Sequence, residues 1–269
     1  MQPTLSAATR SALTPWRWAL TGGLVGLVLA LLVFAPARWL AALVQQASGG
    51  HVVLAAPRGS FWQGSAQLEF SGGEGSRDAI TLPGALTWRL RPTWSGITMQ
   101  LNAECCTQQQ QPMRLTVTPA GWGGVRLVVA DSQSNWPAGL LVGLGTPWNT
   151  LQVQGELVAS SRGFTVQWVQ GRLSLAGRLQ LDASRVSSRL STLRPMGSYR
   201  LTLLGGAAST LELNTLEGSL RLTGQGQWVG QRLRFEGEAS ATPESVDALS
   251  NLLNIIGRRK GATSIIKVG

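Results

Sequence analysis

The sequence predicts a mainly β protein: an N-terminal transmembrane helix, then a periplasmic domain of curved antiparallel sheet with a C-terminal amphipathic helix. Three observations carry that prediction. An uncharged run, WALTGGLVGLVLALLVFAPA, fills residues 18–37; apolar–polar alternation recurs over most of the chain beyond it; and 33 glycines accompany few helical stripes. A chain of 269 residues can bury one sizeable core or two small ones.

The uncharged run has the length that a helix needs to cross a hydrocarbon core of about 30 Å. Arg10 and Arg17 precede it and no acid does. The positive-inside rule therefore places residues 1–17 in the cytoplasm, 18–37 in the inner membrane as a single pass, and 38–269 in the periplasm. A cleaved signal peptide is the competing reading, because Ala35-Pro36-Ala37 has the A-x-A form, but the apolar stretch 18–34 is longer than the usual cleavable core. The next residues, RWLAALVQQASGG, read as a continuation of the same helix, stopped by Gly49-Gly50.

The strands begin with GSFWQGSAQLEF at 59–70. Trp62, Gly64, Ala66, Leu68 and Phe70 fall on one side and Gln63, Ser65, Gln67 and Glu69 on the other, the period of a half-buried strand. The glycines are expected to make room for Trp62. Leu86, Trp88 and Leu90 repeat the alternation, as do Ile97, Met99 and Leu101, then Met113, Leu115 and Val117. A second series runs from Leu151 through Phe164, Leu173, Tyr199, Leu220 and Phe235. Such strands are antiparallel with one wet face. Two β-rich halves result, about 51–131 and 150–241, and they are open to two arrangements, a closed sandwich or an apolar groove.

Between the halves, residues 132–149 break the alternation and carry two prolines, which predicts a short helix with turns. Thr242, Pro243 and Glu244 read as an N-cap, a first helical position and a first-turn acid. Val246, Leu249, Leu252, Leu253 and Ile256 then form a helical stripe over about 243–256, ended by Gly257. The form G-x-L-x-L-x-G occurs at 171–177 and again at 218–224, one strand-turn-strand device used twice.

Lysine occurs only at Lys260 and Lys267, so nearly all of the net charge of +10 is arginine, a fork suited to carboxylate and phosphate. The arginines are scattered singly through strands rather than clustered, which argues against nucleic acid. The only cysteines are the adjacent pair Cys105 and Cys106. Two readings stand for them: unpaired thiols on a loop, or a vicinal disulfide acting as a rigid turn in an oxidising compartment.

The groups that catalysis needs are scarce. His51 is the sole histidine, and with two adjacent cysteines it makes a badly spaced zinc set. Glu236 and Glu238 share a strand face with Arg232 and Arg234, which reads as an ion-pair ladder. No phosphate-cradling loop is present. No enzyme, no cofactor and no metal site is expected.

The order of the pieces carries a family likeness. A short basic head, one apolar helix, G-S-F-W-Q-G-x-A-x-L, G-A-L-T-W-R-L, G-S-L-R-L-T-G-x-G and the tail ALSNLLNIIGRRKGATSIIKVG occur here in series. In this the chain resembles the type II secretion system protein N family, the general secretion pathway components of the inner membrane. The resemblance implies an accessory scaffold or assembly protein for export of folded proteins from periplasm across the outer membrane, with other secretion components, platform or secretin, as partners. Trp62, Gly64, Trp88, Gly218 and Gly224 stand at the family-pattern positions, each with a structural role in strand packing. The alternative class is lipid handling on a curved apolar groove, as in AsmA-like and TamB-like proteins.

Overall fold

The computed structural model describes residues 16–73, 75, 76, 78–108, 111–229 and 232–269. The chain divides into two compact units, 1–35 and 36–269. In the first, helix α1 covers Trp16–Val33. Its leucines and valines stand exposed along the helix. Among the described residues no helix is long and apolar enough to cross a membrane. Residues 1–15, which hold most of the predicted cytoplasmic head, lie outside the described residues.

The expected continuous helix is broken. A second helix, α2 (Ala37–Ala47), starts after Pro36, which sits at its N-cap in extended conformation and pairs with Ser60 in an isolated bridge. Proline cannot donate the helical hydrogen bond and pushes the residue before it out of the α region, so the break falls there. Ala37 and Ala41 turn inward with Leu40 and Val44.

Among the described residues sixteen strands follow: β1 Val52–Gly59, β2 Gln63–Ser71, β3 Ala79–Thr81, β4 Leu86–Thr93, β5 Gly96–Ala103, β6 Met113–Pro119, β7 Val125–Val129 and β8 Ser132–Pro137 in the first part. A 3-10 segment at Ala138–Leu144 and the short α3 (Trp148–Leu151) lead into β9 Gln154–Val169, β10 Arg172–Ser187, β11 Gly197–Leu204, β12 Thr210–Gly218, β13 Leu220–Val229 and β14 Arg232–Ala241. A 3-10 turn at Pro243–Ser245, helix α4 (Val246–Ile256), β15 Arg258–Lys260 and β16 Thr263–Val268 end the chain.

All sixteen belong to one open sheet, in the order β1-β2-β4-β5-β6-β7-β9-β10-β11-β12-β13-β14-β16-β15, with β3 beside β2 and β8 beside β9. Each pairing is antiparallel between near neighbours in sequence, the arrangement that short connections allow. The closed sandwich is not formed, because hydrogen bonding continues across β7, β9 and β10. The β9–β10 hairpin turns at Gln170-Gly171, both at positive φ, which matches the right-handed twist of the strands.

The middle stretch departs from expectation at its start. Residues 132–137 are strand β8, paired with β9 from Ser132 opposite Ser161 to Pro137 opposite Glu156. The prolines that argued for turns sit at the strand end and beyond it, where a missing N–H costs nothing. The predicted C-terminal helix is present, with 243–245 as its 3-10 entry.

Two apolar clusters form on one face of the sheet. The first joins α2 and Leu140 of the 3-10 segment to Leu54, Leu68, Leu86 and Trp88. The second joins α4, through Leu249, Leu252 and Leu253, to Met196, Tyr199, Leu220 and Ala239. Helix α2 is thus a cover that periodicity had assigned to the membrane helix.

Candidate interaction surfaces

Apolar rows cross the sheet in register between the two clusters. Leu179, Leu203 and Leu211 stand opposite one another on β10, β11 and β12, and Leu181, Leu201 and Leu213 form the next row. These six are half-buried. Beside them a wholly apolar hollow of about 200 Å³ is lined by Phe70, Trp136, Leu140, Leu144, Leu157 and Leu181.

Trp88 is buried in the first cluster, opposite Gly64 in the β2–β4 register. Its indole nitrogen donates to the Phe61 carbonyl at 3.1 Å. A Cβ on Gly64 would lie 2.5 Å from Trp88 Cζ2, so the glycine admits Trp88 and not Trp62. Trp62 precedes β2 in a bend, its ring edge-on to Phe61 with centroids 5.3 Å apart. Gly218 has φ +117 and faces Gly197 across β11–β12, where a side chain would strike the Met196 carbonyl. Gly224 lies opposite Gly237, and the Phe235 ring fills the space that a Cβ there would need. One packing device, an aromatic ring laid over strand glycines, therefore appears in both parts of the sheet.

Cys105 and Cys106 are joined by a disulfide, which decides between the two readings of the pair. Cys106 is buried in the first cluster while its carbonyl accepts the Asn135 N–H at 2.8 Å, tying the loop to β8. His51 is exposed, with Nδ1 3.0 Å from the Ser71 carbonyl, a strand-end contact.

The charged groups separate into two regions. Beyond residue 150, Arg200 binds Asp182 through both Nε (2.7 Å) and an Nη (2.9 Å), and Gln180 donates to the same carboxylate. The Arg200 hydrogen bonds hold the Asp182 carboxyl below its usual range, against the opposing effect of burial, with Gln180 adding to the depression. Arg185 pairs with Glu156 at 2.8 Å. Glu236 pairs with Lys267 on β16, not with Arg232 or Arg234, so the predicted ladder runs across strands instead of along one. Tyr199 is buried, its hydroxyl donating to the Leu220 carbonyl at 3.1 Å, and desolvation pushes its pKa far up.

Before residue 131 the polar face has a different character. Register places Arg58, Ser65, Thr87 and Asn102 in one row, Gln63, Arg89, Gln100 and Arg114 in the next, and Arg91, Thr98 and Thr116 in a third. A depression of about 590 Å³ opens there between Arg58, Gln63, Ser65, Thr87, Arg89 and Gln100. Each arginine was visible in the sequence as a single polar-face residue, but only strand register gathers them. Among the described residues no group of three His, Cys, Asp or Glu side chains converges on a metal position.

Fold and surfaces together define a β-sheet protein organised around extended faces rather than an enclosed pocket. The chain belongs to the type II secretion system protein N family, whose model matches residues 50–265, nearly the whole sheet unit. Membership implies a role in type II secretion and association with other components of that system. No curated protein and no solved structure matches the chain.

Proposed function

We propose that this chain is an accessory, non-enzymatic component of the type II secretion apparatus, a scaffold or assembly protein held in the inner membrane with its sheet in the periplasm. The family match over 50–265 carries the reading. The uncharged run 18–37 after Arg10 and Arg17 supports the anchor. The bonded cysteine pair suits an oxidising compartment. Sheet faces and edges, rather than a cleft, are the surfaces such a scaffold offers to partners.

Deleting the gene in a strain that depends on this system tests the role. Folded exoprotein is expected to accumulate in the periplasm and to be released again on complementation; undiminished export would remove the reading.

Lipid handling is the second reading. The wholly apolar hollow beside Leu181 favours it, yet at about 200 Å³ it is smaller than the roughly 300–1,000 Å³ of ordinary ligand sites. Native mass spectrometry that found lipid retained by the purified chain would raise it above the scaffold.

A further inference from the structure

We infer that the polar face of β1, β2, β4, β5, β6 and β7 is a docking surface for an acidic protein partner, gripped by Arg58, Arg89, Arg91, Arg114 and Arg126. The choice of protein over lipid as occupant rests on the proposed secretion role; the surface itself rests on charge.

Five exposed arginines lie on this face, and no described carboxylate pairs with any of them. Among the described residues, Arg126 reaches the Gln167 side-chain oxygen, at 3.4 Å. The nearby acids are engaged elsewhere. Glu104 accepts the Ala85 N–H at 3.1 Å and Asp131 the Gly163 N–H at 2.6 Å. Asp78 accepts from the Asn149 amide at 2.8 Å, and Glu69 faces the Thr81 hydroxyl at the far end of β2. All three ion pairs among the described residues lie instead beyond residue 150.

Most of the remaining positions between the arginines are uncharged donors and acceptors, with Glu69 at the far end of β2 and Val128 opposite Thr116 as the exceptions. Gln63 and Gln100 flank Arg89 in its cross-strand row, and Gln100 separates it from Arg114. At a strand spacing of about 4.8 Å, the six strands present a basic face about 24 Å wide. Guanidinium is weakly hydrated and binds carboxylates through two parallel hydrogen bonds, so a row of arginines interleaved with amides and hydroxyls fits aspartate and glutamate side chains. The depression between Arg58 and Arg89 gives one or two such side chains a seat. Charge complementarity of this kind orients a partner and raises its association rate.

Two measurements on the full-length chain test the inference. In detergent at low salt, a fluorescent twelve-residue polyglutamate peptide is titrated against the wild type, against Arg89→Gln/Arg114→Gln, and against the charge-matched control Arg221→Gln/Arg232→Gln. The first pair is expected to weaken binding at least tenfold and the control less than twofold, with wild-type binding falling as salt screens it. Equal loss from both pairs would mean that net charge alone binds the peptide, and would overturn the surface. In cells, a photo-reactive residue at Gln100 is expected to give a discrete protein adduct that Arg89→Gln/Arg114→Gln abolishes. An adduct with lipid only, or one indifferent to the arginines, would also overturn it. Repeating the crosslink in strains lacking the other secretion genes separates the two readings. An arginine-dependent adduct that persists there keeps the surface and removes the secretion role; an adduct lost there but indifferent to the arginines does the reverse.

Discussion

The indole of Trp88 lies across Gly64, its partner in the β2–β4 register, and donates to the Phe61 carbonyl just before β2. The ring thereby ties the entry of β2 to the first cluster. Gly64→Val is expected to cost about 1–3 kcal/mol, since the added carbons meet both the ring and the Arg58 carbonyl. Trp88→Phe keeps most of the packing and is expected to lose about 1 kcal/mol with the hydrogen bond. Urea unfolding of the full-length chain followed by circular dichroism measures both; a neutral Gly64→Val would contradict the packing.

Tyr199 is the only tyrosine, so phenol absorbance reports on it alone. Its folded pKa is raised, and a raised value means that the unfolded chain releases the proton first. Stability is therefore full below the ordinary phenol pKa of about 10 and declines as pH rises beyond it. Native protein is expected to show no phenolate absorbance until alkaline unfolding sets in, and both events should coincide. Tyr199→Phe should cost about 1 kcal/mol at neutral pH by removing the bond to the Leu220 carbonyl.

The Asp182 carboxyl is depressed in the folded chain, the opposite sign. Its contribution is present above the unfolded carboxyl pKa of about 3.9 and is lost as pH falls through the lower folded value. Because the Arg200 side chain is 41% exposed, screening holds the contribution to about 1 kcal/mol or less. Asp182→Asn is expected to flatten the acid limb of the stability profile below about pH 4 while leaving the alkaline limb unchanged.

The bonded cysteines should resist alkylation by iodoacetamide under native conditions without reductant, and the tryptic peptide spanning them should weigh about 2 Da less than its reduced form. Recovery of two alkylated cysteines from unreduced protein would exclude the bond.

The parts of this molecule that were legible in sequence are those governed by local period. Alternation at Leu86, Trp88 and Leu90 and the stripe at Leu249, Leu252 and Leu253 required no knowledge of neighbours, because a side chain's face follows from its own backbone geometry. Ser132–Pro137 was harder, since the prolines of the stretch mask a strand whose paired residues lie 19 to 29 positions further along the chain. The helix break at Pro36 was visible as a residue but overridden by the apolar run around it.

By itself the sequence determined a mainly β chain with a wet face, an apolar N-terminal helix, a C-terminal amphipathic helix, and the family to which it belongs. Tertiary structure alone decided that the strands form one open sheet, that Gly64 admits Trp88, that Glu236 meets Lys267, and that Arg58, Arg89 and Arg114 share a face where no described carboxylate pairs with them. The physical reason is that each of these is a matter of register: which residue stands opposite which depends on hydrogen bonding between strands, and no property of a single strand specifies it.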